Sequence, residues 1–175
     1  MNTHPITTQR LVLRPPTVND AASVFAIYGD PETNRYNPAG PLANLPQAKA
    51  ALARWLKHWA DHGFGQWAIA TQEAPECVIG FGGITLYHYG TVERINLGYR
   101  FAVSAWGQGF ATELARAALQ FGFVELGQPT VYGVVRPAHA ASIKVLEKIG
   151  MQRIDELDDV PGQAPSLVYR ATRIP

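Results

Sequence analysis

The sequence predicts one α/β domain, of the α+β kind, in which helices flank a mostly antiparallel sheet. Two helical patterns lie in the first part of the chain, and strand–helix units follow in the last part. The 175 residues fit one domain, and a chain of this size buries about 70% of the surface that its unfolded form exposes. We therefore expect a single domain over residues 1–175 with one hydrophobic core.

The first elements follow from local patterns. Alternating apolar residues predict a short strand over residues 10–14, and the capping signal of residues 17–20 predicts the start of a first helix. Four prolines within residues 30–46 predict an irregular loop, whose length suits a cover over a substrate. An apolar stripe predicts a second helix over residues 47–63, with its tryptophans in the core.

The later elements complete the sheet. Apolar runs predict strands at residues 66–71, 78–86, 94–103, 130–136 and 167–172. Turns are expected at residues 72–76 and 87–92. Helical spacing predicts a third helix that ends near Gly127 and a fourth over residues 140–149.

A glycine loop joins the strand over residues 94–103 to the third helix. It reads Trp106-Gly107-Gln108-Gly109-Phe110-Ala111-Thr112. Glycine lets backbone N–H groups converge, and the first turn of a helix adds unpaired donors and a positive dipole end. The Gly-Lys-Ser/Thr ending of a Walker loop and the GxGxxG dinucleotide pattern are both missing. The loop therefore predicts a phosphate cradle for another kind of nucleotide.

Composition excludes several classes of function. The net charge of +1 provides no broad basic surface, which argues against nucleic acid as the main partner. No apolar run of 18 residues and no secretory leader is present, so we expect no membrane span. The single Cys77 forms no internal disulfide, and no Cys/His spacing indicates zinc or another metal. These features favour a reducing cytoplasm, with Cys77 as a small buried strand residue.

Two segments carry a family resemblance. The glycine loop with Glu113, and the segment of residues 137–151 that reads PAHAASIKVLEKIGM, resemble the two acetyl-coenzyme A motifs of the GNAT N-acetyltransferases. The most similar branch acetylates the N-termini of ribosomal proteins. Shorter matches extend the resemblance over nearly the whole chain, at residues 8–15, 30–32, 80–84, 98–99 and 168–170.

The resemblance implies acetyl-coenzyme A as cosubstrate, with no metal. It also implies that the strand ending near Val103 and the strand starting near Thr130 splay apart, so that the pantetheine arm lies along residues 98–103. A bulge at Leu97 and Gly98 would expose N–H groups to the reacting carbonyl oxygen. The implied cofactor-binding residues are Phe101, Ala102, Val103, Gln108, Gly109, Phe110, Ala111, Thr112, His139 and Ser142.

Two positions depart from the family pattern for the acid. Where many relatives have a tyrosine that protonates the thiolate, this chain has Leu146. Ser142 matches a family serine near the sulfur, so we expect it to act as the acid or to donate a hydrogen bond to the thiolate; a bond to the backbone of its own helix is the alternative. His139 replaces an asparagine, and it can stack, donate or relay a proton.

The base also departs from the pattern. Asn96 stands where the family often has glutamate, and an amide takes no proton. We expect Asn96 to orient the amine or a water that removes the proton, with Glu93 and His88 as alternative bases. Glu113 begins a helix, where a carboxylate favours the positive dipole end, so we expect a structural role for it.

The sequence therefore predicts an acetyl-coenzyme A-dependent N-acetyltransferase. It would act on a primary amine, either a protein N-terminus or a small molecule, by direct attack on the thioester. A noncatalytic acyl-coenzyme A binding module and a transferase for longer acyl chains are the alternatives. The loops at residues 30–46, 87–92 and 155–165 would shape the amine pocket, and both a monomer and a homodimer fit the sequence.

Overall fold

The computed structural model describes residues 4–174, which form eight strands and four α-helices. The strands are Ile6–Thr7 (β1), Leu11–Arg14 (β2), Gln66–Thr71 (β3), Ala74–Tyr89 (β4), Val92–Phe101 (β5), Thr130–Val135 (β6), Gln152–Leu157 (β7) and Ser166–Thr172 (β8). The helices are Ala21–Tyr28 (α1), Leu45–His62 (α2), Phe110–Gln120 (α3) and Ala140–Lys148 (α4). One turn of π-helix, Phe121–Glu125, extends α3.

All strands join one sheet in the order β1-β2-β3-β4-β5-β6-β8-β7. Each neighbouring pair is antiparallel except β5 and β6, which run parallel. These two strands pair only at Asn96 and Tyr132, near the middle of β5. The prediction of a mostly antiparallel sheet is confirmed, and beyond Asn96 the two strands leave an opening in the sheet.

Both faces of the sheet carry a buried apolar cluster. On one face, α3 and α4 pack through residues such as Leu114 and Leu146 against the strands. On the other face, α1 and α2 pack through Val24 and Leu52 against Phe81. The expectation of one core was therefore wrong, because a sheet covered on both faces separates its apolar contacts into two layers.

The periodic elements are confirmed, and their bounds differ in two places. β4 extends past the predicted residues 78–86 at both ends, and β5 both begins and ends two residues earlier than the predicted residues 94–103, so the turn between them shrinks to Gly90 and Thr91. Gly90 has φ +65°, a left-handed conformation that suits glycine in a tight hairpin. β1 and β7 were missed. β7 lies at the sheet edge with almost every side chain exposed, so its sequence lacks apolar alternation.

Local signals account for the ends of α2. The Asn44 side chain accepts a hydrogen bond from the Gln47 N–H, and Pro46 occupies the first turn, where no N–H is required. Gly63 ends the helix with φ +76°. The tryptophans of α2 pack against the two clusters as predicted, whereas Cys77 is exposed on β4, so its predicted burial was wrong.

His58 fastens α2 to the sheet. Its Nε2 accepts a hydrogen bond from the Leu86 N–H at 3.1 Å, and its Nδ1 lies 2.7 Å from the Phe64 carbonyl oxygen. Nδ1 must therefore carry the proton of a neutral ring. Burial lowers the pKa of His58, partly opposed by the bond to Phe64. Protonation would remove the acceptor that Leu86 requires.

We expect the free energy of unfolding to decrease as the pH is lowered, because of this histidine. A base with a lowered folded pKa stabilises the fold above its unfolded pKa of about 6.5, and that stability is lost as the pH falls below it. His58→Ala should cost about 1–3 kcal/mol at pH 8, because it leaves Leu86 without a partner. The variant should also lose less stability than the wild type between pH 8 and pH 5.5.

Urea unfolding at the two pH values measures both effects. His88→Ala is the matched control, because His88 is 72% exposed. Equal stability and equal pH dependence for the His58 variant and the wild type would refute this role.

Within residues 4–174, no helix combines the length and apolarity needed to cross a bilayer.

Candidate active site

The glycine loop presents a row of unused backbone donors. Gly107 and Gly109 have φ of +73° and +79°, and Gly109 is the cap of α3. The N–H groups of residues 107–112 donate to no described acceptor. The last three belong to the first turn of α3, where a helix has no internal partners. These donors and the positive end of the helix dipole form a site suited to phosphate.

Arg10 and Glu113 hold this cradle in place. The Glu113 carboxylate accepts hydrogen bonds from Thr8 Oγ1 at 2.6 Å, the Arg10 N–H at 2.7 Å and Arg10 Nε at 2.8 Å. Arg10 Nη1 donates to the Gln108 carbonyl oxygen at 2.8 Å, and its guanidinium lies over the Phe110 ring. Partial burial opposes the charge of Glu113, but the bonds from Thr8 and Arg10 outweigh it and lower its pKa. Glu113 therefore has a structural role.

The β4–β5 ladder is unbroken beside the opening. Its register runs without a shift from Tyr89 and Val92 to Gly80 and Phe101. The predicted bulge at Leu97 and Gly98 was therefore wrong. The Ala102 N–H continues the ladder by donating to the Ile79 carbonyl oxygen.

Alternation in that ladder decides which backbone groups reach the opening. Because hydrogen-bonded pairs alternate along antiparallel strands, the groups of Gly98 and Arg100 face β4, and those of Tyr99 and Phe101 face β6. The Phe101 carbonyl oxygen accepts a bond from Trp106 Nε1. Of the groups of Tyr99 and Phe101, the N–H and C=O of Tyr99 and the N–H of Phe101 are therefore left for a ligand at the opening.

In the segment from Phe101 to Val103, which the resemblance implies binds the cofactor, several groups are occupied by contacts within the protein. The Phe101 side chain is buried in the core. The Ala102 carbonyl oxygen accepts from the Ala105 N–H, and the Val103 carbonyl oxygen accepts from the Trp106 N–H. These bonds form the short 3-10 turn Val103–Ala105, which leads the chain from β5 into the cradle.

Ser142 lies across the opening from β5. It is in the first turn of α4, and its Oγ shares a hydrogen bond of 3.1 Å with the Tyr99 hydroxyl. The Oγ thus bonds another side chain and not its own helix. Burial raises the pKa of Tyr99 to about 12, slightly opposed by the bond to Ser142. Leu146, one turn further along α4, is buried in the core.

His139 caps α4 beside this pair. Its ring stacks on Tyr36 with centroids 4.4 Å apart, which joins the loop before α2 to the start of α4. Burial and then the nearby Arg100 charge lower the pKa of His139, so its ring is neutral at pH 7. Arg100 itself bonds Asn34 Oδ1 and lies over the Tyr28 ring at 4.6 Å.

Asn96 is buried on the opposite face of β5 from Tyr99. Its Oδ1 accepts a hydrogen bond from the Tyr89 hydroxyl at 2.5 Å. His88 and Glu93 pair with each other near the hairpin, where both are exposed. Because side chains alternate along a strand, Glu93 points to the face opposite Asn96. The structure therefore places neither alternative base at Asn96.

A cavity of about 650 Å³ borders only the cradle end of this region. Its walls come from β1, the segment up to Arg10, one side of α3 and Lys148. It includes Gly109 and Thr112 but reaches neither Asn96 nor Ser142. The opening between β5 and β6 is a better candidate for the reaction, because it joins the cradle to the Tyr99–Ser142 pair.

No group of three or more metal-ligating side chains occurs among residues 4–174.

Sequence reasoning missed three residues that shape this site. Arg10 and Tyr36 act through partners about a hundred residues away, so no local pattern identifies them. Tyr99 had a usable signal: strand alternation places it on the same face as Leu97 and Phe101, which pack toward α3. That face also carries α4, and hence Ser142.

Comparison with known proteins assigns the family. The family model of the acetyltransferase (GNAT) domain matches residues 10–152. The chain is 28% identical over 148 residues to the uncharacterised N-acetyltransferase YoaA of Bacillus subtilis (strain 168), covering 83% of this chain and 81% of the relative.

Solved structures share the fold. An acetyltransferase from Agrobacterium tumefaciens str. C58 matches with a TM-score of 0.80 and 28% identity, over 99% of this chain and 96% of the other. A spermidine N-acetyltransferase from Vibrio cholerae, in complex with CoA and spermine, matches with a TM-score of 0.75 and 17% identity, over 93% and 95%. Family model, relatives and site geometry agree, and the chain belongs to the GNAT family of acetyltransferases.

Proposed function

We propose that this protein transfers the acetyl group of acetyl-coenzyme A to a primary amine by direct attack. One observation carries the proposal. The opening between β5 and β6 leads from a row of free N–H groups to a half-buried hydroxyl pair, Tyr99 and Ser142. N–H groups that can bind phosphate lie at one end of the opening, and hydroxyl groups that can donate a proton lie at the other. This arrangement suits a long thioester cosubstrate.

The residues along this path fit acetyl-coenzyme A. The N–H groups of residues 107–112 offer a pyrophosphate several donors without a Cβ in the way at Gly107 and Gly109. The free backbone groups of Tyr99 and Phe101 offer a pantetheine arm the bonds of a neighbouring strand. The proposed binding residues remain Phe101, Ala102, Val103, Gln108, Gly109, Phe110, Ala111, Thr112, His139 and Ser142.

Acetyl-coenzyme A supplies an activated acetyl group to this site. In the transfer, the amine nitrogen forms a bond to the carbonyl carbon, the carbon–sulfur bond breaks, and the electron pair leaves with sulfur. The amine loses one proton and the thiolate gains one, so charge and atoms balance. A backbone N–H of Tyr99 or Phe101 suits the negative charge that develops on the carbonyl oxygen, in place of the groups at Leu97 and Gly98.

Ser142 and Tyr99 are the proposed source of the proton for the thiolate. They share a hydrogen bond, so a proton that leaves Ser142 is replaced from Tyr99. The raised pKa of Tyr99 keeps it protonated through the neutral range. This pair takes the place of the family tyrosine, at whose position Leu146 is buried.

Asn96 is proposed to position the amine or a water, and water removes the amine proton. Glu93 does not take over this task, because it points to the other face of β5 and pairs with His88. A neutral amine must therefore form before attack, so turnover should rise as the pH approaches the pKa of the amine.

Release of free thiol tests the proposal. The protein is titrated with acetyl-coenzyme A by calorimetry and then given alanine- and serine-starting peptides, alkylamines and amino acids. Binding followed by amine-dependent thiol release is the expected result. Binding without release from any amine would favour the noncatalytic module, and competition with succinyl-coenzyme A separates the longer-chain alternative. Absence of binding would refute the cradle.

A further inference from the structure

The sheet face toward α1 and α2 carries a patch of N–H donors above Gly98. Arg94, Asn96 and Gly98 alternate along β5 and so share this face. Gln66 reaches the same point from β3, because Gln66 pairs with Gly83 and Gly83 pairs with Gly98. These residues surround the point in the sheet where β5 and β6 separate.

Two amide nitrogens stand over the bare backbone of Gly98. Asn96 Nδ2 lies 3.6 Å, and Gln66 Nε2 lies 4.0 Å, from the position that a Cβ on Gly98 would take. Asn96 directs its nitrogen there because its Oδ1 is held by Tyr89. Neither nitrogen donates to another residue among residues 4–174, and Gln66 Oε1 is buried without a partner. The missing Cβ leaves room for a ligand atom that accepts these bonds.

Arg94 adds a positive charge to the same face. Its guanidinium lies over Tyr132 at 4.4 Å and over Tyr89 at 5.2 Å, so two neighbouring rings restrict its position. No described carboxylate pairs with it. The neighbouring Glu93 pairs with His88 on the other face.

A second carboxylate on this side, Asp159, is also engaged. Asp159, whose charge acts on Tyr87, accepts hydrogen bonds from Arg136 and Ser166. The face around Gly98 therefore combines a guanidinium and two amide N–H donors, and both Glu93 and Asp159 are already paired elsewhere.

We infer that the amine acceptor carries a carboxylate, which Arg94 binds while Asn96 positions the amine at the opening between β5 and β6. This inference rests on the proposed function and names the substrate class for it. Hydrogen bonds between a guanidinium and a carboxylate are among the strongest in proteins, and an arginine packed over two rings loses less freedom on binding than a solvated one. Gln66 Nε2 provides a further donor to the same ligand.

The same donors disfavour a polycation. A second ammonium group on the acceptor would meet Arg94 and amide N–H groups, while Glu93 and Asp159 are already paired with other residues. Like charges in contact reduce the affinity for a ligand, and a binding site can gain specificity from such repulsion as well as from favourable contacts. The site should therefore prefer an amino acid-like acceptor to a polyamine.

Three amines of equal length test this directly. γ-Aminobutyrate, n-butylamine and putrescine share a reacting amine and differ at the far end, which is anionic, apolar or cationic. A longer pair, ε-aminocaproate and n-hexylamine, covers a different spacing. We expect kcat/KM for the better carboxylate to exceed that of its alkylamine by about ten-fold or more, with putrescine lowest.

Arg94→Gln should remove that preference and leave n-butylamine unaffected. Arg94→Lys keeps the charge and should retain part of the preference, which separates electrostatics from damage to the fold. Arg153→Gln is the matched control, because Arg153 is an exposed arginine on β7 that pairs with Glu156. Acetyl-coenzyme A affinity of each variant serves as the check on folding and on the cradle.

The outcomes separate this inference from the proposed function. Equal or better kcat/KM for n-butylamine or putrescine than for both carboxylates would overturn the inference while thiol release upholds the transferase. An unchanged preference in Arg94→Gln would overturn it as well. No thiol release from any amine would overturn the proposed function and this inference with it.

Discussion

Valine in place of Gly109 is expected to weaken acetyl-coenzyme A binding by about ten- to a hundred-fold. Gly109 has φ +79°, a left-handed conformation that a β-branched residue adopts only at a cost of about 1–3 kcal/mol. A Cβ at this position would meet only Arg10 Nη2, at an ordinary contact distance of 3.5 Å. Backbone strain, and not a steric clash, should therefore displace the N–H groups that form the cradle.

Calorimetry with acetyl-coenzyme A measures this effect. Gly127→Val is the matched control, because Gly127 has φ +62°, has no neighbour within 4 Å of its Cβ position and lies outside the cradle. The control should lose stability without losing affinity. Unchanged affinity in Gly109→Val, or an equal loss in both variants, would contradict the assignment of the cradle.

Removing the hydroxyl of Ser142 or Tyr99 should lower turnover by about 10²- to 10⁴-fold. Ser142→Ala and Tyr99→Phe each break the 3.1 Å bond between them and interrupt the supply of a proton to the thiolate. Groups that act as a unit are not additive, so the double variant should be little slower than the slower single variant. Acetyl-coenzyme A affinity should change only modestly, because the cradle is untouched.

Single-turnover release of thiol is the suitable measurement, since it isolates the chemical step. Ser23→Ala, on α1, is the control. Normal single-turnover rates in both site variants would reject the acid role of the pair. Strictly multiplicative losses in the double variant would show that the two hydroxyls act separately.

The sequence predicted most of the fold because its elements carry local signals. Apolar periodicity located β3, β6 and α2, and glycine marked the cradle and the end of α2. β7 was missed because an edge strand with exposed side chains has no apolar alternation to detect. The predicted bulge in β5 was wrong, because a glycine in a strand permits a bulge without requiring one, and here Gly98 pairs with Gly83 in regular register.

The site was less predictable than the fold, because its contacts join distant parts of the chain. The Tyr99–Ser142 bond spans 43 residues, and the Arg10–Glu113 contact spans 103. A carboxylate near Asn96 in the sequence can reach Asn96 only from the same face of the strand. Glu93 lies on the opposite face of β5 and is therefore excluded as the base. The donor patch around Gly98 likewise combines β3 and β5 across the intervening β4.

Following the acetyl group itself tests the central claim most directly. Acetyl-coenzyme A labelled in its acetyl group is mixed with the protein and the amine that releases the most thiol, and the products are separated after a single turnover. We predict that the label appears on the amine nitrogen, with one free thiol for each acetyl group transferred and no label on the protein. Label bound covalently to the protein, or released only as acetate, would contradict direct transfer to an amine.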